Sequence, residues 1–349
     1  MKDTVLVAIS GGADSTAAAL LLKNMGFDVI GCILKMHKYC DNDVTDAKMI
    51  AEKIGIELIV EEVSNQFEKI VKQNFYQEYL NGRTPNPCVL CNKKIKFKEL
   101  LKVADKHNIQ HIATGHYTTI EYSDEFSSKI LFKAKNIKKD QSYVLWRLTK
   151  KELDRLMFPV GDFFDSKTDL RIFLEQNDIP IFHKQDSQDI CFIPDGDYRK
   201  FINEFSQNKK YIEKGDVLLE GNIIGKHKGT PYYTIGQRRG LGIAYKEPIY
   251  VKRIDADNNI VEVATLNNTF SNGLISNDFN IITYDNLPEK NYDIKIRYND
   301  SGKLAMAKVE DNKLIIHFNE PRSSVALGQS VVLYEENMLV GGGIINEIF

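Results

Sequence analysis

Several things are scarce in this chain of 349 residues. It has five cysteines, nine prolines and one tryptophan, and its 46 Lys+Arg against 48 Asp+Glu leave a formal net charge of −2. An odd, low cysteine count argues against a disulfide framework. It fits a reducing, cytoplasmic compartment, where thiols are more often catalytic or metal-binding. No apolar run approaches the roughly 20 residues that cross a bilayer, which excludes a membrane-spanning helix. The opening Met1-Lys2-Asp3-Thr4 and the short apolar run 5–9 do not make a secretory signal. A nearly neutral charge decides nothing about nucleic acid, because what matters is where the charge sits. With 43% hydrophobic and 27% charged residues the chain is neither disordered nor collagen-like. Its length predicts two or three domains.

The first 115 residues alternate between two textures. Short apolar runs at 5–9, 28–36, 57–63 and 110–114 read as buried strands. Between them, residues 15–25, 44–54, 67–80 and 93–107 carry apolar side chains at helical spacing. Gly26, Gly55 and Gly82 stand where such helices stop. Strands alternating with helices predict βαβ units and a parallel sheet, whose ligands bind beyond the carboxyl ends of the strands. Ser10 and Gly115 both follow strands and are expected to share a site. Residues 139–185 read as mostly helical. After about residue 208 short alternating runs appear, at 217–219, 249–254, 260–264, 294–298, 305–309, 314–318 and 330–334, as in antiparallel β modules.

Two motifs carry chemistry. Ser10-Gly11-Gly12-Ala13-Asp14-Ser15 joins the first strand to the first helix. Its glycines allow close backbone approach, and the free amides of the helix start make an anion site. Asp14 is placed to hold Mg²⁺ against a polyphosphate. No Gly-Lys-Ser/Thr follows, so this is not a Walker A loop; it resembles the pyrophosphate-binding PP-loop of ATP pyrophosphatases. The second motif is Cys88-Val89-Leu90-Cys91, after Pro85 and Pro87 and just before a lysine-rich helix. A thiol near that helix start and Lys93 and Lys94 is expected to have a depressed pKa. A third cysteine, Cys191, lies 100 residues beyond Cys91, so only the fold can bring them together; Cys32 and Cys40 receive no role. Structural zinc, a redox pair and a sulfur relay are all open to these cysteines. The PP-loop favours the relay, which needs two thiols meeting at an activated carbonyl.

Nearly end to end, the chain resembles the tRNA-specific 2-thiouridylases of the PP-loop superfamily. The likeness rests on residues 8–15, 82–97 (GRTPNPCVLCNKKIKF), 113–117 (ATGHY), 139–145 (KDQSYVL), 187–194 (SQDICFIP), 233–242 (YTIGQRRGLG), 297–298 and 327–332 (LGQSVV). It implies an α/β fold: a parallel-sheet PP-loop domain (1–205), a small central β-rich domain (206–270) and a C-terminal β-barrel (271–349). It implies ATP and Mg²⁺ as cofactors, and tRNA and a persulfide or sulfide donor protein as partners, with neither membrane nor DNA. The reaction implied is replacement of O2 of the wobble uridine in tRNAs for Glu, Gln and Lys. Residues Ala8, Ile9, Ser10, Gly11, Gly12, Ala13, Asp14 and Ser15 would bind ATP, with Leu34 and Gly115 lining the pocket. Cys191 would carry a persulfide, and Cys91 would release its sulfur, leaving a Cys91–Cys191 disulfide. Asn86, Pro87 and Cys88 would contact the base, and His116, Lys139, Asp140, Gln141, Arg297, Tyr298 and Gln329 the tRNA.

One position departs from the pattern. Many members have Asp where this chain has Cys88, which puts an acid–base role there in doubt. Cys88, Cys91 and Cys191 as ligands of a 4Fe-4S cluster are the competing reading. Lysines 93, 94, 96, 98, 102 and 106, the run 133–139 and Arg238-Arg239 suit phosphate contacts, although each alone is more often a solvated face. Two other functions stand beside this one: a PP-loop ligase adenylating a small molecule, and a non-catalytic tRNA- or metal-binding protein.

Overall fold

The computed structural model of the chain describes residues 3–37, 40–179, 190–206 and 212–349. The end of the expected helical stretch (180–185) and the first residues of the third cysteine's motif (187–189) lie outside the described residues. The chain divides into two compact units. One comprises Met1–Val71, Cys88–Phe192 and Glu336–Leu339; the other comprises Lys72–Pro87, Ile193–Glu335 and Val340–Phe349.

The first unit is built on strands β1 (Thr4–Ala8), β2 (Asp28–Lys35), β3 (Glu57–Glu62) and β4 (His111–Ala113), the hairpin of β5 (Thr118–Ser123) and β6 (Ser128–Lys133), and the short β7 (Leu156–Met157). The main sheet runs β3-β2-β1-β4-β7, every neighbouring pair parallel. Val5, Leu6 and Val7 are wholly buried, as a central parallel strand covered on both faces requires. Helix α1 (Ala13–Asn24) presents Ala17, Ala18, Leu21 and Leu22 to this core. Helix α2 (Asp41–Ile54) ends at Gly55 in the left-handed region, whose N–H bonds to the Ala51 and Glu52 carbonyls. The strand order reverses at β1: β2 and β3 lie on one side, β4 and β7 on the other. At such a reversal the carboxyl ends of two neighbouring strands open a crevice. Here they are β1 and β4, paired from Val5↔His111 to Val7↔Ala113.

Two expected helices are interrupted. The stretch 67–80 is a helix Ser64–Phe67, a π turn Glu68–Lys72 and a helix Gln73–Leu80. The lysine-rich helix begins earlier than expected, at Pro87, whose fixed φ suits a first helical position. It passes through a π turn at Asn92–Lys96 and continues as Phe97–Lys106. Each π turn inserts an extra residue and rotates the faces that follow, which apolar periodicity does not reveal. The β5–β6 hairpin, lying inside no expected element, alternates too briefly to stand out.

The second unit holds the β modules expected from the alternating runs. Strands β8 (Gly215–Leu219), β9 (Asn222–His227), β10 (Ile249–Asp255) and β11 (Ile260–Thr265) form one sheet around Val217, Val251, Val261 and Val263. The C-terminal barrel strands are β12 (Phe270–Ser276), β13 (Asp278–Ile281), β14 (Lys290–Lys295), β15 (Lys303–Glu310), β16 (Lys313–Ser323), β17 (Ser330–Glu335), β18 (Met338–Ile344) and β19 (Glu347–Ile348). They pair antiparallel along β19-β12-β16-β15-β14-β17, and β13 pairs with β18. The expected strand 294–298 stops at Lys295 because the chain turns there. Asp300 accepts the Ile296 N–H at 2.8 Å, and the buried Arg322 guanidinium reaches both the Asp300 carboxylate and, at 2.8 Å, the Ile294 carbonyl. This pair anchors the turn that carries Arg297 and Tyr298. Asp300→Ala would leave a buried guanidinium uncompensated, at a cost of about 3–5 kcal/mol. Thermal unfolding is expected to show a clearly lowered midpoint for this variant and a smaller loss for Asp300→Asn; a wild-type melt for the alanine variant would remove the pair as an anchor.

Candidate active site

The glycine turn leaves β1 and enters α1 as a ring of short hydrogen bonds. The Ser10 N–H donates to Ser15 Oγ at 3.0 Å, and the two serine hydroxyls share a bond of 3.1 Å. Ser15 Oγ and Thr16 Oγ1 both donate to the Gly12 carbonyl, at 3.0 and 2.8 Å. Gly12 is the N-cap residue and no side chain caps the helix, so the amides of the first turn face outward as an anion site. Gly11 lies at φ +73, and a Cβ there would stand 3.0 Å from the Asp43 carbonyl and from Asp46 of α2. Ala8 and the buried Ile9 lead into the turn, and buried Leu34 ends the neighbouring strand.

The turn after β4 packs directly on this ring. A Cβ on Gly115 would fall 2.7 Å from Asp14 C and Ser15 N, so the two loops touch backbone to backbone. Tyr117 Oη donates to Asp14 Oδ1 at 2.8 Å, and Lys167 Nζ reaches the same oxygen at 2.6 Å. Lys167 was not singled out from the sequence. It opens the helix Lys167–Gln176, and no local pattern separates it from other lysines at helix starts. Gln141 holds the β4 turn from below: its backbone N–H donates to the Tyr117 carbonyl at 2.7 Å, and its Oε1 accepts the Tyr117 N–H at 3.0 Å. Asp140 is buried and accepts from the Ala134 N–H, the Ser142 N–H and Ser142 Oγ. It therefore shapes the turn between half-buried Lys139 and Gln141. His116 is buried too. It shares a 2.7 Å bond with Thr114 Oγ1 and stacks on Phe97 with ring centroids 5.8 Å apart. Burial, and then the charge of Lys96, hold its imidazole well below the ordinary histidine range, so it is a neutral wall of the site.

The thiols stand in the same unit. All five cysteines are free. Cys91 is buried, with Sγ 3.9 Å from Met36 Sδ, next to the end of β2. The expectation of a depressed Cys91 thiol is corrected: burial pushes it up to about 11, against the opposing pull of Lys96. Two reasons explain the difference. The helix starts at Pro87, not after Cys91, and Lys93 is spent on Glu152 at 2.9 Å. Cys88 and Cys191 are exposed. Burial raises both, Cys191 to about 12, and Cys91, Cys88 and Cys40 raise Cys191 further, so these thiols lie within electrostatic reach of one another. The reading of Cys88, Cys91 and Cys191 as a 4Fe-4S ligand set is not carried forward. Among the described residues no three His, Cys, Asp or Glu side chains form a metal-binding group, and Cys91 turns inward while the other two face solvent.

In the second unit, the segment leading to Asn86 and Pro87 is tied to the barrel. The Thr84 N–H donates to the Leu327 carbonyl at 2.8 Å, and Gln329 Nε2 donates to the Thr84 and Pro85 carbonyls at 3.1 and 3.2 Å. Gln329 thus secures the proline turn. Arg297 and Tyr298 are exposed on the turn anchored by Arg322. No helix among the described residues is long and apolar enough to cross a membrane.

Comparison with known proteins places this arrangement. Residues 3–195 match the tRNA methyl transferase HUP domain, residues 199–265 the tRNA methyl transferase PRC-barrel domain, and residues 271–345 the aminomethyltransferase beta-barrel domain. Among curated relatives, tRNA-specific 2-thiouridylase MnmA of Natranaerobius thermophilus is 42% identical, over 99% of this chain and 98% of the relative. MnmA 1 of Thermoanaerobacter pseudethanolicus is also 42% identical, over 99% and 98%. MnmA 1 of Clostridium botulinum is 39% identical, over 99% and 100%.

Two measurements check the geometry. Gly115→Ala forces a methyl into the glycine ring, and calorimetry is expected to show ATP affinity at least about ten-fold weaker, a loss of roughly 1.4 kcal/mol. Because the Cys91 thiol lies near 11, its alkylation is expected to rise about ten-fold per pH unit up to pH 10; a plateau near neutrality would show a thiolate already formed.

Proposed function

Because this chain belongs to the tRNA-specific 2-thiouridylase family, we propose that it replaces O2 of the wobble uridine in tRNAs for Glu, Gln and Lys with sulfur, using ATP. The observation that carries the reading is the junction inside the first unit. Gly115 packs on the glycine ring, and the next residue in the same turn, His116, stacks on Phe97, next to the π turn that follows Cys91. One short turn therefore links a phosphate cradle to the thiols. A small-molecule ligase has no use for that link.

ATP would lie with its phosphates on the first-turn amides of α1. Asp14, already half-exposed at the cradle, fits a Mg²⁺ that is otherwise ligated by phosphate oxygens, an ion that neutralises charge during transfer. Lys167 and the amides supply positive potential where charge builds on the phosphates. The uridine leaves its stack to reach the cradle, as chemistry on a base requires. Its O2 attacks the α-phosphorus and pyrophosphate departs, leaving O2 adenylated. The terminal sulfur of a persulfide on Cys191 then bonds to C2, and the C2–O2 bond breaks with AMP as leaving group. The Cys91 thiolate attacks Cys191 Sγ; the S–S bond to the transferred sulfur breaks, and that sulfur keeps the electron pair as the 2-thio group. A Cys91–Cys191 disulfide remains, to be reduced by a dithiol from a reducing, cytoplasmic environment. The persulfide is refilled by a sulfur-donor protein. Cys88 takes no acid–base part, because burial keeps its thiol protonated at neutral pH. This reading assigns tRNA contacts to Lys139 in the first unit and to Asn86, Pro87, Arg297 and Tyr298 in the second.

Mass spectrometry of tRNA nucleosides after incubation with ATP, Mg²⁺ and a sulfur source tests the reaction. Wild-type protein is expected to produce 2-thiouridine. Cys91→Ser and Cys191→Ser are expected to lower the yield at least about 10³-fold while leaving tRNA affinity and ATP–pyrophosphate exchange in place. Asp14→Ala is expected to abolish the exchange. Normal thiolation by Cys191→Ser would refute the relay.

A further inference from the structure

The π turn has a consequence beyond shape. It places Lys96 five residues after Cys91, about one π-helical turn on, and the Lys96 backbone N–H donates toward the Cys91 sulfur. Its neighbours on the same run are engaged or solvated: Lys93 pairs with Glu152 at 2.9 Å, Lys102 with Glu99 at 2.8 Å, and Lys94 and Lys98 are exposed. Lys96 is half-buried and makes no ion pair among the described residues. The residue after it, Phe97, is the one stacked on His116. Lys96 thus stands between the thiols and the turn that touches the ATP cradle.

We propose that Lys96 is a positioning residue for sulfur transfer, its ammonium serving as the counter-ion of whichever cysteine in this cluster is ionised. The proposal rests on the sulfur-relay reading above. A half-buried ammonium without a carboxylate partner is unusual, because desolvation is normally offset by pairing. Among the described residues the groups on which it acts are Cys88, Cys91, Cys191 and neutral His116, and Cys40 lies close enough to act on Cys191. None carries a negative charge until a thiol loses its proton. Cys88 opposes the ionisation of Cys91, and both oppose that of Cys191, which disfavours two thiolates together beside this cation. Burial works against that thiolate at all three cysteines, and Lys96 works for it at all three. As the disulfide forms the negative charge leaves with the transferred sulfur, and Lys96 is left poised for the next reduced cycle.

The test is site-resolved alkylation of the whole protein by iodoacetamide at pH 8, without ATP or tRNA, read by mass spectrometry. In Lys96→Met, Cys88 and Cys191 are expected to react about three- to ten-fold more slowly than in the wild type, and their rate–pH curves to move to higher pH. Cys32, on which Lys96 does not act, is expected to be unchanged. Lys96→Arg, which keeps the charge, is expected to restore most of the rate; this separates charge from packing. Superimposable alkylation curves for Lys96→Met and wild type would overturn the proposal. Because no tRNA is present, this outcome is independent of whether the chain makes 2-thiouridine. A thiolation assay on the same variants, with kcat lowered and the KM for tRNA unchanged in Lys96→Met, completes the test; a change confined to KM would reassign Lys96 to RNA binding.

Discussion

The site depends on one close approach: the backbone of the turn after β4 lies against the backbone of the turn after β1, with room for nothing larger than hydrogen at Gly115. The contact exists because β1 and β4 are parallel neighbours at the point where the sheet reverses its order. Parallel neighbours end together, so their following turns meet above the same edge. Everything else is hung from that meeting. Tyr117 ties it to Asp14, Gln141 braces it, and His116 and Phe97 carry it on to the π turn and the thiols.

Electrostatics within the site are set more by burial than by pairing. The thiols are all held in their protonated form, and His116 in its neutral form, by loss of water around them. Such a site is quiet until substrate and a sulfur donor enter. An uncharged Cys88 adds no charge to this cluster of thiols.

Much of this was legible in the residues alone. Val5–Val7 read as a buried strand because only a strand covered on both faces is apolar without alternation, and Ser10–Ser15 read as a phosphate turn because glycine, hydroxyls and a helix start coincide there. The π turns, the burial of Cys91 and the ion pair of Lys167 with Asp14 were not legible. Periodicity is blind to one inserted residue, and Lys167 is 153 positions from its partner. Asp140 and His116, placed by family resemblance against tRNA, are buried and internally bonded, a distinction that motif matching does not make.

By itself the sequence determined the alternation of strands and helices over the first 115 residues, the parallel character of the first sheet, the β character of the C-terminal half and the chemical identity of the site residues. These follow from local pattern and residue type, which act over a few positions along the chain. Tertiary structure alone decided which thiol is buried, which lysine makes no ion pair among the described residues and which carboxylate is neutralised. Those properties depend on how much water and charge surrounds a group, and that environment is assembled from segments far apart in the chain.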